Sequence, residues 1–529
     1  MSKRPENFQD AFFIPASSTL ESFLPTANCQ LPLLIVNCQL HLTFAPVIEN
    51  EKYQVVIGLE VHTQLLTQSK LFCGDSAAFS TDPNTHISPI TLAHPGTLPK
   101  MNVKAIEYAI KLGLALHCEI EQHNYFARKN YFYPDLPKGY QVSQHTTPIC
   151  KNGFVPIRVA DAERNIRLNR IHIEEDAGKS LHDVDENYTA IDLNRAGVPL
   201  LEIVSEPDMH SSDEAFAYIT ELRKLVTWLG ICDGNMEEGS MRCDANISIR
   251  LKGDTKLGTR VEVKNLNSIR NVKRAIDVEV ERLIALVENN ETIVQETRSY
   301  DADNNSTFSL RSKEDADDYR YFPEPDLPPF HITDDYLVQV KNELPVLPGT
   351  LKQRYFTEFK LSDYDATVLC DDKAQAAYFE AVIKHTDNYK AVANWMLGPV
   401  KSHLNDNNIA YDDFTLPAEK LAALIGLVET GKLNFGIASS RVLPALLLQP
   451  DKQPLQIATE LNVLQESNSS SIEQWVDEAI AAMPDKVKQY QSGKKGLIGL
   501  FAGEVKKRSK GKADMQQVNE MLEKKLNTQ

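Results

Sequence analysis

The chain has 529 residues, of which 42% are hydrophobic and 24% charged, and its formal net charge is −17 at pH 7. This composition excludes the disordered and collagen-like classes. One hydrophobic core rarely supports so long a chain, so we expect several domains. No segment approaches the roughly 18 apolar residues of a membrane span. The eight cysteines form no C-x-x-C pair, which favours reduced thiols in a cytosolic protein.

Residues 1–52 lack regular hydrophobic patterning. The acidic residues in this stretch are atypical of a transit peptide, and its longest apolar run, LPLLIV at 31–36, is short for the core of a secretory signal. We therefore expect a disordered extension or a misassigned start codon. Regular patterning begins at Tyr53.

Three folded regions follow the extension, and together they predict an α+β protein. Residues 53–345 combine short alternating strands with a few helices, including an amphipathic helix over 271–290. Residues 346–464 read as helical throughout. The polar run QESNSSS at 465–471 is typical of a linker, so a small helical tail domain is expected over 471–529.

Four predicted strands carry polar side chains on one face. Alternation in VVIGLEVH (55–62), RIHIE (170–174), MRCDANISIR (241–250) and RVEVKN (260–265) places apolar residues on the other face. A sheet with one face in water explains such alternation in any single strand. The polar faces are rich in Glu, Asp, His, Asn and Arg, however, and poor in Ser, Thr and Lys. If the strands form one antiparallel sheet, five side chains converge: Glu60, His62, Glu174, Asp244 and Glu262.

Carboxylates with one imidazole are ligands that suit Mg²⁺ or Mn²⁺, whereas zinc prefers more nitrogen or sulfur. These hard ions commonly accompany nucleotide phosphates. Arg242, Arg250, Lys179 and Lys264 are then candidates to neutralise phosphate charge. The stretch DAGKS has Ile173 where a phosphate-binding loop requires glycine, and no G-x-G-x-x-G follows a strand. A metal-dependent phosphoryl-transfer site and an acidic, non-catalytic surface both remain open from spacing alone.

Long motifs in the chain closely resemble one enzyme family. They are VVIGLEVHTQL (55–65), FARKNYFYPDLPKGYQVSQ (126–144), RIHIEEDAGKS (170–180), DLNRAGVPLLEIVSEPDM (192–209), MEEGSMRCDANISIR (236–250), EVKNLNS (262–268), QETRSYD (295–301), DDYRYFPEPDLPP (317–329), ANWMLGPV (393–400), NFGIASSRVL (434–443) and FAGEVKKRSKGKADMQQVNEMLEKKL (501–526). In this order they resemble the B subunit of the aspartyl/glutamyl-tRNA amidotransferases, from about Tyr53 to the C-terminus.

The resemblance implies a cradle-like, mostly antiparallel catalytic sheet followed by an all-helical domain and a small helical tail. It implies ATP and Mg²⁺ as cofactors and phosphorylation of the side-chain carboxylate of glutamate or aspartate carried by misacylated tRNA(Gln) or tRNA(Asn). Ammonia released from glutamine by the A subunit then yields the amide, and a small C subunit holds the two larger subunits together. The expected location is the cytoplasm. A buried carboxylate is expected to take a proton from arriving ammonium.

Residue by residue, the resemblance places family metal ligands at Glu60, His62, Glu174, Glu175, Asp244 and Glu262. This set largely coincides with the polar faces described above. We assign metal ligation to Glu60, His62, Glu175, Asp244 and Glu262. Catalytic roles are assigned to Glu174, Glu175, Asp244 and Lys179, and phosphate or ATP contact to Arg242, Arg250 and Lys264.

The chain departs from the family at a zinc site. Many members carry four cysteines, of which this chain keeps Cys73 alone; the other positions are Asp75, Ser88 and Thr91. A four-thiolate zinc site is therefore lost, and we expect no zinc and a loop held by packing. Rescue by His86 or His94 is the alternative.

The C-terminal region is basic although the chain is acidic. Residues 486–529 contain eleven Lys or Arg and four acids, a net +7, so the rest of the chain carries −24. A solvated helix face explains a basic tail equally well. The resemblance implies contact with tRNA phosphates instead, at Lys506, Lys507, Arg508, Lys510 and Lys512.

Three hypotheses follow. The chain is an amidotransferase B subunit that works within a complex, a non-catalytic protein that binds structured RNA and has an acidic surface, or a stand-alone metal-dependent kinase of a small carboxylic acid. Hydrolysis of ATP that requires misacylated tRNA and partner subunits distinguishes the first from the others.

Overall fold

The computed structural model describes residues 52–160, 162–182, 184–312, 319–465, 469–509 and 511–528. The extension expected over 1–52 lies outside the described residues except for Lys52. Part of the predicted linker at 465–471 lies outside them as well. Within the described ranges, no helix combines the length and the apolar character needed to cross a membrane.

The N-terminal region contains the strands that the structure describes. They are β1 Tyr53–Gln64, β2 Glu119–Ile120, β3 His123–Asn124, β4 Ala127–Asn130, β5 Tyr140–Ser143, β6 Cys150–Lys151, β7 Phe154–Val159, β8 Ala162–Glu175, β9 Lys179–Leu181, β10 Ala190–Asp192, β11 Pro199–Ser205, β12 Met241–Leu251, β13 Val261–Leu266, β14 Glu296–Asp301, β15 Ser306–Ser312, β16 Phe322–Pro323 and β17 Phe330–His331.

A ten-stranded sheet organises this region, in the order β15-β14-β13-β12-β1-β11-β8-β6-β2, with β7 paired to β8. Its pairings are antiparallel except for the parallel pair β13–β14. Three smaller sheets accompany it: β16-β4-β5, β10-β9 and β17-β3. The predicted mostly antiparallel sheet is confirmed.

The centre of the sheet is the pair β1–β12, which runs in unbroken register from Tyr53 opposite Leu251 to Thr63 opposite Met241. Because side chains alternate between faces, the apolar residues of both strands share one face. Ile57, Leu59 and Val61 are buried on that face. The carboxylates of β1 and β12 therefore share the opposite face.

Three α-helices that lie between strands of the N-terminal region cover the apolar face: α1 Val103–Ala115, α2 Ser212–Trp228 and α3 Ile269–Glu288. Each begins at a residue whose side chain accepts a hydrogen bond from a backbone N–H of the first turn, namely Asn102, Ser211 and Ser268. Helix α3 overlaps the amphipathic helix predicted over 271–290 and buries its apolar stripe. The predicted pattern is thus confirmed.

From Asp334 onward, the described residues form helices and the connections between them. The α-helices are α4 Asp334–Asn342, α5 Pro348–Thr357, α6 Asp363–Leu369, α7 Lys373–Val382, α8 Tyr389–Trp395, α9 Lys401–Asn407, α10 Ala418–Glu429, α11 Phe435–Ile437, α12 Leu443–Leu448, α13 Pro454–Glu460, α14 Ser469–Ala481, α15 Pro484–Gln491, α16 Ile498–Arg508 and α17 Met515–Thr528. Two π-helices span Met396–Val400 and Ala438–Val442, and two 3₁₀ turns span Tyr411–Asp413 and Lys495–Leu497.

Separate hydrophobic cores accompany the sheet and the helical regions. The first contains the apolar face of the sheet, the second lies among the helices from Leu351 to Val463 and includes Trp228 of α2, and the third lies within the tail from Ile472 to Leu526. This agrees with an α+β protein that has a helical domain and a helical tail. The domain boundaries at residues 345, 464 and 471 stay predictions.

Candidate functional site

Strand register brings acids from different strands together on the polar face of the sheet. Glu60 of β1 lies directly opposite Asp244 of β12, and His62 of β1 lies opposite Glu202 of β11. These strands border a cavity of about 760 Å³. Its charged and aromatic lining includes Glu60, His62, Lys129, Tyr131, Glu174, Asp176, Glu202, Glu237, Glu238, Arg242, Asp244, Glu262, Lys264 and Tyr319.

The first group of candidate metal ligands, which we call the Glu60 cluster, consists of Glu60, Asp244 and Glu262. One carboxylate oxygen from each lies within 4.8 Å of the others. Burial raises the pKa of Glu60, and the nearby carboxylates of Glu202, Glu262 and Asp244 raise it further. A site that disfavours its own negative charge in this way would gain stability from a bound cation.

A second group, the His62 cluster, consists of His62, Glu174 and Glu202, whose ligand atoms also lie within 4.8 Å of one another. The Nε2 atom of His62 is 3.5 Å from Glu202 and 3.9 Å from Glu174. Although burial lowers the pKa of His62, the two carboxylates more than offset it and the pKa is raised.

His172 lies beside the His62 cluster. Its Nε2 atom is 3.4 Å from Glu202 and 3.5 Å from Glu174. Burial lowers its pKa, but Glu202 and Glu174 raise it to about 9 overall. In turn, burial opposes ionisation of Glu202, but the two histidines hold the pKa of this carboxyl well below its usual range. His62, His172 and Glu202 therefore form a network of electrostatic contacts, in which His62 and Glu202 border the cavity.

Two of the three predicted phosphate contacts lie in the cavity. Arg242 donates to both carboxylate oxygens of Asp176 at 2.9 Å. Lys264 donates to Asp244 at 2.7 Å and lies 3.2 Å from Glu262. Arg250 instead donates to Gln54 at 3.0 Å near the end of β12. Six residues along a strand separate it from Asp244 by roughly 20 Å, so the structure does not bring Arg250 into the cavity.

Glu175 and Lys179 also lie outside this cavity. Successive side chains of a strand point to opposite faces, so Glu175 points away from Glu174. It is fully buried and accepts hydrogen bonds from Lys138 Nζ at 2.6 Å and the Val142 N–H at 2.7 Å. Lys179 is exposed and borders a neighbouring cavity of about 470 Å³. Of the predicted catalytic and metal residues, these two are not brought to the shared cavity.

Sequence reasoning missed Glu202, which completes the His62 cluster. Its signal was available, because it is the lone acid in the otherwise apolar strand PLLEIVS. Lys129 was missed as well, and so were the rings of Tyr131 and Tyr319 that border the cavity. These three come from loops and a short strand, where hydrophobic periodicity provides no orientation.

In the loop that carries a zinc site in many family members, Asp75 accepts hydrogen bonds. The donors are the hydroxyl of Thr91 and the thiol of Cys73, the latter at 3.3 Å. Burial raises the pKa of Cys73, which favours the protonated thiol that donates to Asp75. Hydrogen bonds among these side chains thus supplement packing in this loop.

Within the tail, Lys506 and Lys507 are exposed at the end of α16. Arg508 pairs with Glu504 at 2.9 Å and Glu478 at 3.5 Å. Lys512 donates to Asn462 at 2.8 Å. Lys510 lies outside the described residues. Among the predicted tRNA contacts that the structure describes, Lys506 and Lys507 therefore have the positive charges that are least engaged by other side chains.

Comparison with known proteins agrees with this architecture. The GatB/GatE catalytic domain family matches residues 55–338, and the GatB domain family matches residues 377–526. The B subunit of an aspartyl/glutamyl-tRNA(Asn/Gln) amidotransferase from Nitratidesulfovibrio vulgaris (strain DP4) is 47% identical over 474 residues, which are 90% of this chain and 99% of that protein.

Proteins of the same name from two other bacteria are equally similar. That of Geotalea uraniireducens is 49% identical over 479 residues, covering 90% of this chain and 100% of the relative. That of Chlorobium phaeobacteroides is 48% identical over 474 residues, covering 90% and 99%. The chain therefore belongs to the family of aspartyl/glutamyl-tRNA(Asn/Gln) amidotransferase B subunits.

Proposed function

We propose that this chain is the B subunit of a tRNA-dependent amidotransferase, a carbon–nitrogen ligase that uses glutamine as its amide donor. It converts Glu-tRNA(Gln), Asp-tRNA(Asn) or both into the corresponding amide, with ATP as the source of energy. The observation that carries the proposal is one cavity that holds the Glu60 cluster, the His62 cluster and three cations, Lys129, Arg242 and Lys264.

The reaction needs activation because the negative charge of a carboxylate repels nucleophiles. An oxygen of the substrate carboxylate attacks the γ-phosphorus of ATP, and the bond from that phosphorus to the ADP oxygen breaks. Neutral ammonia then attacks the carbonyl carbon of the acyl phosphate. Phosphate leaves, an amide forms, and the proton lost from nitrogen passes to a carboxylate of the cavity.

The ligand sets fit divalent cations. Both clusters offer mainly carboxylate oxygens, and burial together with the neighbouring carboxylates raises the pKa of Glu60. Glu60, Asp244 and Glu262 would hold one ion, and His62, Glu174 and Glu202 another. When bound, Mg²⁺ supplies neutralisation of triphosphate charge. Metal ligation by Glu175 stays a prediction.

Different contacts hold Arg242 and Lys264 in the cavity. Arg242 is oriented by its two hydrogen bonds to Asp176, which fix its guanidinium at the border of the cavity. Lys264 bridges Asp244 and Glu262, so a phosphate that enters competes with these carboxylates for the ammonium. We propose that both residues bind the phosphates of ATP.

The assembly follows from the same proposal. The chain acts in the cytoplasm with an amidotransferase A subunit, which releases ammonia from glutamine, and with a small C subunit. The exposed Lys506 and Lys507 of the tail bind tRNA phosphates. No finding favours the alternative of a non-catalytic RNA-binding protein with an acidic surface.

One experiment tests the proposal. The chain is purified together with the A and C subunits, and ADP release and amide formation are measured with Glu-tRNA(Gln) and with Asp-tRNA(Asn). We expect ADP release to depend on misacylated tRNA and to match amide formation in amount. ADP release that is indifferent to tRNA, or the absence of amide with both substrates, would overturn the proposal.

A further inference from the structure

Four tyrosine rings form a connected series beside the cavity, and one end of the series lies at the surface. We call Tyr133, Tyr131, Tyr319 and Tyr321 the tyrosine strip. Successive ring centroids along it are 6.0, 5.9 and 6.3 Å apart, each pair edge to face. Tyr131 and Tyr319 border the cavity, whereas Tyr133 is 58% exposed. None of these rings has a part in the chemistry described above.

The strip is built from two distant segments that the fold fastens together. Tyr131 and Tyr133 follow β4, and Tyr319 and Tyr321 precede β16. Asn130 joins the two segments, since its backbone N–H donates to the Tyr319 carbonyl at 2.9 Å and its side chain donates to the Arg320 carbonyl at 2.7 Å. Pairing of β4 with β16 continues this attachment. The rings are thus positioned before any ligand arrives.

The chemistry of the strip suits nucleobases. Aromatic faces stack with bases of any sequence, and a nearby cation attracts the phosphates between them. Lys129 Nζ lies 4.9 Å from the centroid of the Tyr319 ring. Burial raises the pKa of Tyr131 and of Tyr321, so these hydroxyls stay protonated and the rings neutral. At the other end of the series, the exposed His145 stacks on Tyr321 with centroids 4.0 Å apart.

We propose that the tyrosine strip binds the unpaired 3′-terminal bases of the aminoacyl-tRNA and so delivers the aminoacyl group to the carboxylate clusters. This inference rests on the proposed function and states where one part of its substrate, the 3′ end of the tRNA, binds. A single adenine, as in ATP, covers one ring or two, whereas this series of four rings continues to the exposed Tyr133. From the exposed Tyr133 the series passes to Tyr131 and Tyr319 at the border of the cavity, and a series of this length matches several successive bases of a single strand.

The test uses the complete complex of the chain with its partner subunits and a tRNA(Gln) transcript with 2-aminopurine as its terminal base. Stacking quenches this fluorophore, so we expect quenching with the wild type, its retention in Tyr319→Phe and its loss in Tyr319→Ala. Tyr364→Ala is the matched control, because that ring is 71% exposed on α6, outside the strip. Tyr133→Ala removes an exposed ring of the strip. It therefore tests the strip even if Tyr319→Ala fails to fold.

Kinetics provide the second measurement. Removal of one stacking ring should raise KM for Glu-tRNA(Gln) by roughly five- to a hundredfold while KM for ATP changes less than about twofold. Unchanged quenching and unchanged KM for tRNA in Tyr319→Ala and Tyr133→Ala would overturn the inference, even if the wild type forms amide. A raised KM for ATP alone would assign the strip to adenine and also overturn it. Failure of the wild type to form amide would overturn the proposed function instead, because quenching is read without turnover.

Discussion

Lys264 and Asp244 form an ion pair, with Nζ 2.7 Å from Oδ2, inside a cluster of three carboxylates. Burial lowers the pKa of the half-buried Lys264, but Asp244 and Glu262 raise it overall and hold the ammonium in its charged form. The lysine thus partly neutralises the Glu60 cluster. A residual negative charge remains in this cluster.

Replacement of Asp244 by asparagine should abolish amide formation without weakening tRNA binding. The change preserves shape but removes one negative ligand and the partner of Lys264. We expect kcat for amidation to fall by about a hundredfold or more, as with other residues that stabilise transition-state charge, and the Kd for tRNA to change less than about twofold. Asp208→Asn is the control, since Asp208 pairs with Arg167 outside the cavity. Amidation at a wild-type rate would remove the Glu60 cluster from the mechanism.

The raised pKa of His172 predicts a specific titration in the metal-free protein. Its value of about 9, against an ordinary value of about 6.5, means that the folded state holds this proton more tightly. The contribution to unfolding free energy is therefore full below about pH 6.5 and lost as pH rises through about 9.

Proton NMR of the histidine Cε1 positions measures this pKa directly. In Glu202→Gln the pKa of His172 should move down toward its ordinary value, because one of its two carboxylate partners is gone. Glu206→Gln is the control, because this variant has the same total charge as Glu202→Gln and leaves the network intact. A titration near pH 6.5 in both the wild type and Glu202→Gln would show that the network does not hold a proton.

Removal of the ion pair between Arg128 and Glu324 should cause a large loss of stability. The guanidinium donates to both oxygens of the carboxylate at 2.7 Å, and the side chain of Glu324 is fully buried. Arg128→Met leaves that charge buried without its partner, which should lower the unfolding free energy by about 3–5 kcal/mol. The surface pair of Arg167 with Asp208, where the arginine is 69% exposed, provides the control: Arg167→Met should lower it by at most about 1 kcal/mol. Denaturant unfolding monitored by circular dichroism compares them, and equal losses would contradict the argument.

The loop at Asp75 should be independent of zinc. Asp75 accepts hydrogen bonds from Thr91 and Cys73, so Asp75→Ala should lower the unfolding free energy by about 1–3 kcal/mol. A zinc-selective chelator should leave the unfolding temperature of the wild type unchanged, and elemental analysis should find no stoichiometric zinc. Bound zinc that disappears in His86→Ala or His94→Ala would instead establish the histidine-assisted alternative.

The tail predicts a salt-dependent effect on tRNA affinity. Lys506→Gln with Lys507→Gln removes two exposed charges, and the loss of each phosphate interaction should reduce the slope of log K against log salt by about 1. Lys525→Gln is the control, because Lys525 pairs with Glu473 and Asp477. Fluorescence anisotropy over a series of salt concentrations measures the slopes. An unaltered slope in the double variant would exclude these lysines from the interface.

Alternation of side chains accounts for what sequence could predict of the site. The period of two placed Glu60, His62, Asp244 and Glu262 on polar faces, and strand pairing brings them into one cavity. Hydrophobic periodicity also predicted the amphipathic helix that the structure shows as α3. Sequence patterns describe each strand separately, however, and pairing order is a long-range property that they do not contain.

The misplacements have equally physical causes. Arg250 shares the polar face of β12 with Asp244. The face on which a side chain lies does not determine its position along the strand, however. Glu175 follows Glu174 directly, and motif likeness treated the two acids alike although strand geometry separates them. Lys129, Tyr131 and Tyr319 come from loops and short strands whose meeting depends on the attachment through Asn130. No local pattern predicts such an encounter.

The unbroken register of β1 with β12 restricts where this protein tolerates insertions. One extra residue inside either strand would exchange the two faces beyond that point, moving Glu60 or Asp244 into the apolar core and aliphatic side chains into the cavity. The turn at 252–259, which is largely exposed, has no such constraint. Affinity tags and fluorescent reporters for single-molecule work therefore belong in that turn, and changes in chain length within the two central strands should eliminate folding and turnover together.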